Sequence, residues 1–251
     1  MKMSTPTAPK QVEPKSILLI GPPGGGKTTL AMQFPQVCLF DCDRNLDGPE
    51  RYVRSKFKEL SYGYVPITFD DAGAPVDVHL CFDRLMDQLA LVKVEKDVKT
   101  VVVDGLTLVN EFIIQKILKA QSKTEMELRH WQPLKSHFIS LLTGRLRSLG
   151  KTTICSCHEV LMEKPNPSNP MIPTIVGYRP AVQGGITDFF GGFFTDMIRC
   201  TCLAAPGGKI EFKLQTIRDS QSDLKNSVGL PPEILIRGGE LGWTQLEPYF
   251  K

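Results

Sequence analysis

Residues 16 to 34, SILLIGPPGGGKTTLAMQF, constrain the fold of this chain more than any other stretch. An apolar run breaks into glycines, then Lys27, Thr28 and Thr29, and a short helical pattern follows that Pro35 ends. Gly21, Gly26, Lys27 and Thr28 satisfy G-x-x-x-x-G-K-[ST], with a strand before and a helix after, as that motif requires. The reading is a phosphate-binding loop made of Gly21, Pro22, Pro23, Gly24, Gly25, Gly26, Lys27, Thr28 and Thr29. Glycines let backbone N–H groups turn onto phosphate oxygens, Lys27 is placed to reach the β- and γ-phosphates, and Thr28 to hold Mg²⁺. The alternative is a glycine-rich turn that binds nothing; strand, loop and helix in register favour a nucleotide.

A chain of 251 residues with 41% hydrophobic and 23% charged residues has the composition of a folded protein with a sizeable core. The net charge of +3 is mild, so any nucleic-acid surface must be a local patch. No apolar run reaches the length of a membrane span and no signal-type segment follows the opening residues, which points to the cytoplasm without membrane contact. Residues 1–14 are polar and carry three prolines, reading as a flexible tail ahead of a single domain over 15–251. Seven cysteines form an odd set, mostly inside apolar strand-like runs, which suits reduced core thiols. The pairs Cys155/Cys157 and Cys200/Cys202 are the alternative, a thiolate metal site across neighbouring strands, although knuckle-type spacing is missing.

Along the chain, QVCLFDCD, KTVVVDGLT and KTTICSCHEV read as further buried strands. A turn-rich and charged stretch leads into VDVHLCFDRLMDQLALVKVEK, where Leu80, Leu85, Leu89 and Leu91 suggest an amphipathic helix; helices are also expected near 107–121 and 131–148. Strands alternating with helices imply an α/β fold with a mainly parallel, doubly covered sheet. Residues 159–187, rich in Pro, Asn and Gly, read as a long functional loop. DMIRCTCLAAPGGKIEFKLQ reads as an antiparallel hairpin that extends the sheet.

Asp104 ends the strand TVVVD, where a phosphate-loop fold wants a carboxylate for Mg²⁺; a turn former or helix cap is the alternative. The next residue is Gly105 rather than an acid, so a water-activating carboxylate must come from elsewhere. CLFDCDRNLDG resembles the strand of RecA-type recombinases whose following acidic residue orients the attacking water, which implies that role for Asp43. Asp41 and Asp47 are local rivals, and a solvated acidic turn is the remaining reading. His158 ends TTICSCH, where the resemblance implies a γ-phosphate sensor ahead of a DNA-binding loop; a simple strand-end histidine is equally open. LKNSVGL is similar to the Lys-Asn-Arg-Phe-Gly signature of RadA/Sms-type ATPases, with Ser227 for the arginine and Val228 for the aromatic. It implies that Lys225 reaches a neighbouring subunit's nucleotide, unless Lys225 is a surface lysine.

Together these matches, over residues 16 to about 235, resemble the phage-encoded RecA-like P-loop ATPases of single-strand annealing and recombination. The resemblance implies a RecA-like core binding ATP and Mg²⁺, single-stranded DNA as partner, a ring or filament of subunits, and a possible single-strand-binding protein. Lys164, Tyr178 and Arg179 are the candidate DNA contacts, while Phe189, Phe190, Phe193 and Phe194 fit core or subunit-contact positions better than a stacking platform. Two other readings compete: a small-molecule or nucleotide kinase, for which an arginine-bearing lid is wanting, and a nucleotide-gated DNA-binding module with vestigial hydrolysis.

Overall fold

A computed structural model describes residues 14–57, 61–166, 169–183, 185–205, 209–219 and 222–250. In chain order the described elements are β1 (Ser16–Gly21), α1 (Lys27–Ala31), β2 (Val37–Asp41), α2 (Asp47–Lys56), β3 (Tyr62–Pro66), α3 (Val78–Val92), β4 (Thr100–Asp104) and α4 (Leu106–Ala120). They continue with α5 (Trp131–Ile139), which runs on as a wider π turn to Leu146, then β5 (Thr152–Asn166), β6 (Asn169–Pro180), α6 (Phe190–Phe193), β7 (Asp196–Ala205), β8 (Lys209–Gln215), β9 (Glu233–Arg237) and α7 (Gly242–Leu246).

The strands form one sheet in the order β3-β2-β4-β5-β1-β7-β8-β9. Contacts from β3 through β7 are parallel, and β7-β8-β9 is an antiparallel extension. This is the α/β P-loop NTPase arrangement expected from the alternating pattern. β1 shows why its sequence is apolar throughout. Leu18 and Ile20 join the core layer formed with α3, α4 and α5, whereas Ile17 and Leu19 join the opposite layer with Leu30 of α1, Leu214 of β8 and Ile234 of β9. A strand covered on both faces has no position left for a solvated side chain.

Local pattern failed where tertiary pairing decided. The stretch 159–187, expected as a loop, is largely ordered ladder: β5 runs on beyond the parallel sheet to Asn166 and pairs antiparallel with β6. Pairing satisfies backbone groups that a long irregular loop would leave to water, and a register shift flanks Pro165, which has no N–H to donate. In α3 the core stripe is Cys81, Phe82, Leu85, Leu89 and Val92, so Leu80 and Leu91 are exposed rather than inward. The elements α2, β3 and β9 carry too little periodicity to stand out in sequence. Residues 1–13, most of the expected tail, lie outside the described residues.

The cysteine pairs cannot form the thiolate site, because β1 lies between the strands that carry them. Six of the seven thiols are buried and Cys202 is exposed; among the described residues no group of three His, Cys, Asp or Glu is gathered for a metal. Phe190 and Phe194 are core residues, as expected, and Phe189 is exposed. Among the described residues no helix is long and apolar enough to cross a membrane.

The segment LKNSVGL closes on β7 within its own chain. Asp196 is fully buried and accepts from the Ser227 backbone N–H (2.6 Å) and hydroxyl (2.9 Å), while Asn226 and Leu230 bond reciprocally. A buried carboxylate is tolerable only with such donors. Asp196→Ala therefore leaves the Ser227 N–H without its acceptor, and urea unfolding should show a loss of about 2 kcal/mol. A loss inside measurement error would show that the clamp is idle.

Candidate nucleotide site

At the carboxyl ends of β1, β2, β4 and β5, a cavity of about 510 Å³ is lined by the glycine loop, Asp43, Asp104, Gly105, Ser156 and His158. Ligands of open α/β sheets collect at this edge because successive loops converge there. Lys27 opens α1, and its ammonium donates to the Gly21 and Pro22 carbonyls at 2.9 Å each. Burial lowers its proton affinity, although it faces the charge of Asp104.

Three elements meet on Asp104. The Thr28 hydroxyl of α1 donates to its Oδ2 at 2.8 Å, and the Ser156 hydroxyl of β5 donates to its Oδ1. Ser156 Oγ in turn accepts from the Gly105 N–H at 2.8 Å, which fixes the start of α4. Asp104 is 2% exposed, and burial pushes its carboxyl up to about 6 despite the Ser156 and Thr28 hydrogen bonds that pull it back. A hydroxyl and a carboxylate are hard oxygen donors that suit Mg²⁺, and a divalent cation is the compensation that this buried charge wants. The donor set therefore fits the metal that the loop motif implies.

The structure also separates the acidic residues after β2. Asp41 is buried and saturated: its Oδ1 accepts from the Asp43 N–H (3.2 Å) and Arg44 N–H (2.9 Å), and its Oδ2 from the Tyr64 hydroxyl (2.9 Å). Asp47 is exposed at the start of α2 and does not line the cavity. Asp43 does line it, accepts the Asn45 N–H at 3.0 Å, and has its carboxyl pushed up, chiefly by burial. The glycine after Asp104 now has a steric reason. Gly105 takes φ +101°, and a Cβ there would stand 3.2 Å from the Asp43 Cβ, so the space an acid would use at 105 belongs to Asp43.

His158 pairs in register with Gly21 and lines the same cavity. Its backbone N–H donates to Thr107 Oγ1 at 3.2 Å, while the ring Nδ1 is buried without a partner among the described residues. Burial and the nearby Lys27 lower its affinity for a proton, which favours the neutral ring. Lys225 is not brought to this cavity; its ammonium donates to the Phe194 carbonyl at 2.8 Å. Sequence reasoning missed Ser156, Tyr52 and Phe212. The last two line the cavity as an edge-to-face pair with centroids 6.1 Å apart. Phe212 also explains Gly26, where a Cβ would lie 2.5 Å from the ring and φ is +86°.

A family model described as an AAA domain matches residues 13–208. The chain belongs to this AAA-domain family. Compared with curated proteins, it has no match. The AAA-domain match covers the phosphate loop, Asp43, Asp104, Ser156 and His158, and marks a P-loop NTPase-type domain. It stops before Phe212 and Lys225, so the ring that stands over Gly26 comes from outside the matched region of this AAA-domain protein. It is also broader than the RecA resemblance read from the motifs, since it names neither recombination nor DNA.

The Asp104 carboxyl gives a pH test without nucleotide or metal. Its proton is held up to about pH 6 in the folded protein but lost near 3.8 in the unfolded chain. The folded state thus binds the extra proton, and stability should fall as pH rises from about 4 to about 6, then level. In Asp104→Asn the difference in thermal midpoint across that window should shrink; an identical pH profile would remove the strained carboxylate from the site.

Proposed function

We propose that this AAA-domain protein is a Mg²⁺-dependent ATPase of the RecA-like type, acting on single-stranded DNA in recombination or annealing. The observation that carries the ATPase reading is the convergence of Lys27, Thr28, Asp104 and Asp43 on one cavity. ATP draws the Lys27 ammonium from the Gly21 and Pro22 carbonyls to its β- and γ-phosphates. Thr28 and Asp104 would hold Mg²⁺, which neutralises phosphate charge when bound. Asp43 orients the attacking water and takes its proton as the oxygen–phosphorus bond to the γ-phosphoryl forms and the bond to ADP breaks. A carboxyl pushed up by burial suits this role, because it accepts a proton more readily than an ordinary aspartate does. The His158 nitrogen, without a partner among the described residues, is a ready contact for the γ-phosphate side. Tyr52 and Phe212 supply a surface on which the base stacks.

The single-strand reading rests on the order of motifs along the chain. It is supported by the β5–β6 hairpin, which leaves the cavity directly after His158 and carries Lys164, Tyr178 and Arg179. A ring or filament, a single-strand-binding partner, a phage source and a cytoplasmic location belong to the same reading, with residues 15–251 working as one domain behind a polar tail. One observation favours a second reading, a nucleotide-gated DNA-binding module with vestigial hydrolysis. Lys225 is bonded to Phe194 and Ser227 to Asp196, so the segment expected to supply a finger in trans is engaged within its own chain.

Steady-state hydrolysis of ATP with Mg²⁺, with and without single-stranded DNA and over a range of protein concentration, tests the assignment. DNA stimulation that rises more than linearly with protein is expected; ATP binding with near-zero turnover in all conditions selects the gated module. Lys27→Ala should abolish binding or turnover, and Asp43→Asn should bind ATP but lose hydrolysis. Wild-type turnover in Asp43→Asn would take the base role away from that residue.

The aromatic wall has a separate test. Phe212→Leu should weaken ATP binding about tenfold, the value of one lost stack, and leave binding of inorganic tripolyphosphate unchanged. Equal weakening of both would make Phe212 a support for the loop at Gly26 and nothing more.

A further inference from the structure

A second cavity, of about 400 Å³, opens at the carboxyl end of β1 beside the first residues of β7 and shares no lining residue with the first. Its size falls in the range of small-ligand sites, and its chemistry is divided in two. Ile20, Phe190, Met197 and Leu224 form an apolar floor, beside which stands the ring of Tyr178. The Arg199 guanidinium lies 3.7 Å from the centroid of that ring. Two 2.8 Å bonds to the Glu159 carboxylate hold it there. A bidentate pair keeps the guanidinium plane fixed, so Tyr178 is a rigid wall rather than a mobile side chain.

Charge sits apart from this floor. Arg179 and Arg218 also line the cavity and are exposed. Arg218 pairs with Asp223, but both side chains are largely in water, at 75% and 82% exposure, where such a pair contributes little. Among the described residues Arg179 makes no ion pair. The cavity thus offers a flat apolar slot with cationic groups near it, the division of chemistry found in a nucleotide. Met162 and Met197 in the lining are soft enough to accept different ring shapes.

We propose that this cavity binds one nucleotide unit, with its base against Tyr178 and its phosphate on Arg179, drawn from a single strand or taken as a free mononucleotide. The strand source rests on the single-strand reading above; the mononucleotide source does not. Neither residue lines the ATP cavity, and a cooperative thermal transition in each variant reports that it folds.

The test uses two probes, a fluorescein-labelled oligothymidylate followed by anisotropy and thymidine monophosphate followed by calorimetry. Tyr178→Leu should weaken the probe that binds about tenfold, Tyr178→Phe should restore it, and Arg179→Ala should weaken it with a salt dependence shallower by about one charge. Losses seen with the oligonucleotide alone assign the strand as source; losses seen with thymidine monophosphate assign the free nucleotide. Oligonucleotide binding that survives both substitutions overturns the cavity and leaves single-strand binding standing. Thymidine monophosphate binding that is lost in the variants, with no oligonucleotide binding by the wild type, overturns the single-strand reading and leaves the cavity. Wild-type protein that binds neither probe overturns both.

Discussion

Everything at the nucleotide site depends on one buried carboxylate. Asp104 takes a hydroxyl from α1 and a hydroxyl from β5, and through Ser156 it also sets the amide that starts α4. Three elements far apart in sequence are thereby held to one point at the end of β4. A charge removed from water is costly unless donors or a cation face it, and the two hydroxyls meet only part of that demand. The remaining demand is what makes the position suited to a metal ion. Stability of the ligand-free protein and readiness for the metal are opposed there, a trade common at sites that bind charge.

The same economy of space governs the acid that faces it. Asp43 stands close to where a Cβ at 105 would lie, which together with the φ of +101° favours glycine there, and Asp41 is withdrawn from chemistry by three donors. Two carboxylates two residues apart therefore differ in kind: one organises the turn after β2, and the other lines the cavity. Alternation along β5 divides the next region in the same way. His158 faces the nucleotide cavity, whereas Glu159 pairs with Arg199 beneath the second one. The two cavities are thus joined by a single peptide unit, at the point where β5 leaves the parallel sheet.

The phosphate loop and the strand-end carboxylate beside it were legible because their chemistry fixes residue type and spacing within a few positions of a strand end. The parallel core was legible for a related reason: a strand buried on both faces is apolar along its run, as at Ile17–Ile20 of β1 and Val101–Val103 of β4. The hairpin β5–β6 was not legible, since its pairing is satisfied by backbone groups that any residue carries. Ser156 was hidden because a serine in a buried strand carries no signal until Asp104 is placed beside it. Tyr52 and Phe212 are 160 residues apart in sequence, and nothing local marks either as a wall of the site.

By itself, the sequence determined that this chain builds a phosphate loop between a buried strand and a helix, with an acid at the end of another strand. Glycine spacing, Lys27, Thr28 and the apolar runs suffice for that, because they act through backbone geometry and burial over short distances. Only the tertiary structure decided which acid enters the cavity, what closes over Gly26, and where Lys225 goes. Those outcomes depend on contacts between residues distant in sequence: Asp43 against Gly105, Phe212 against Gly26, and Lys225 on the Phe194 carbonyl. Spacing along the chain carries no record of such approaches; they are set by the order in which the strands pair.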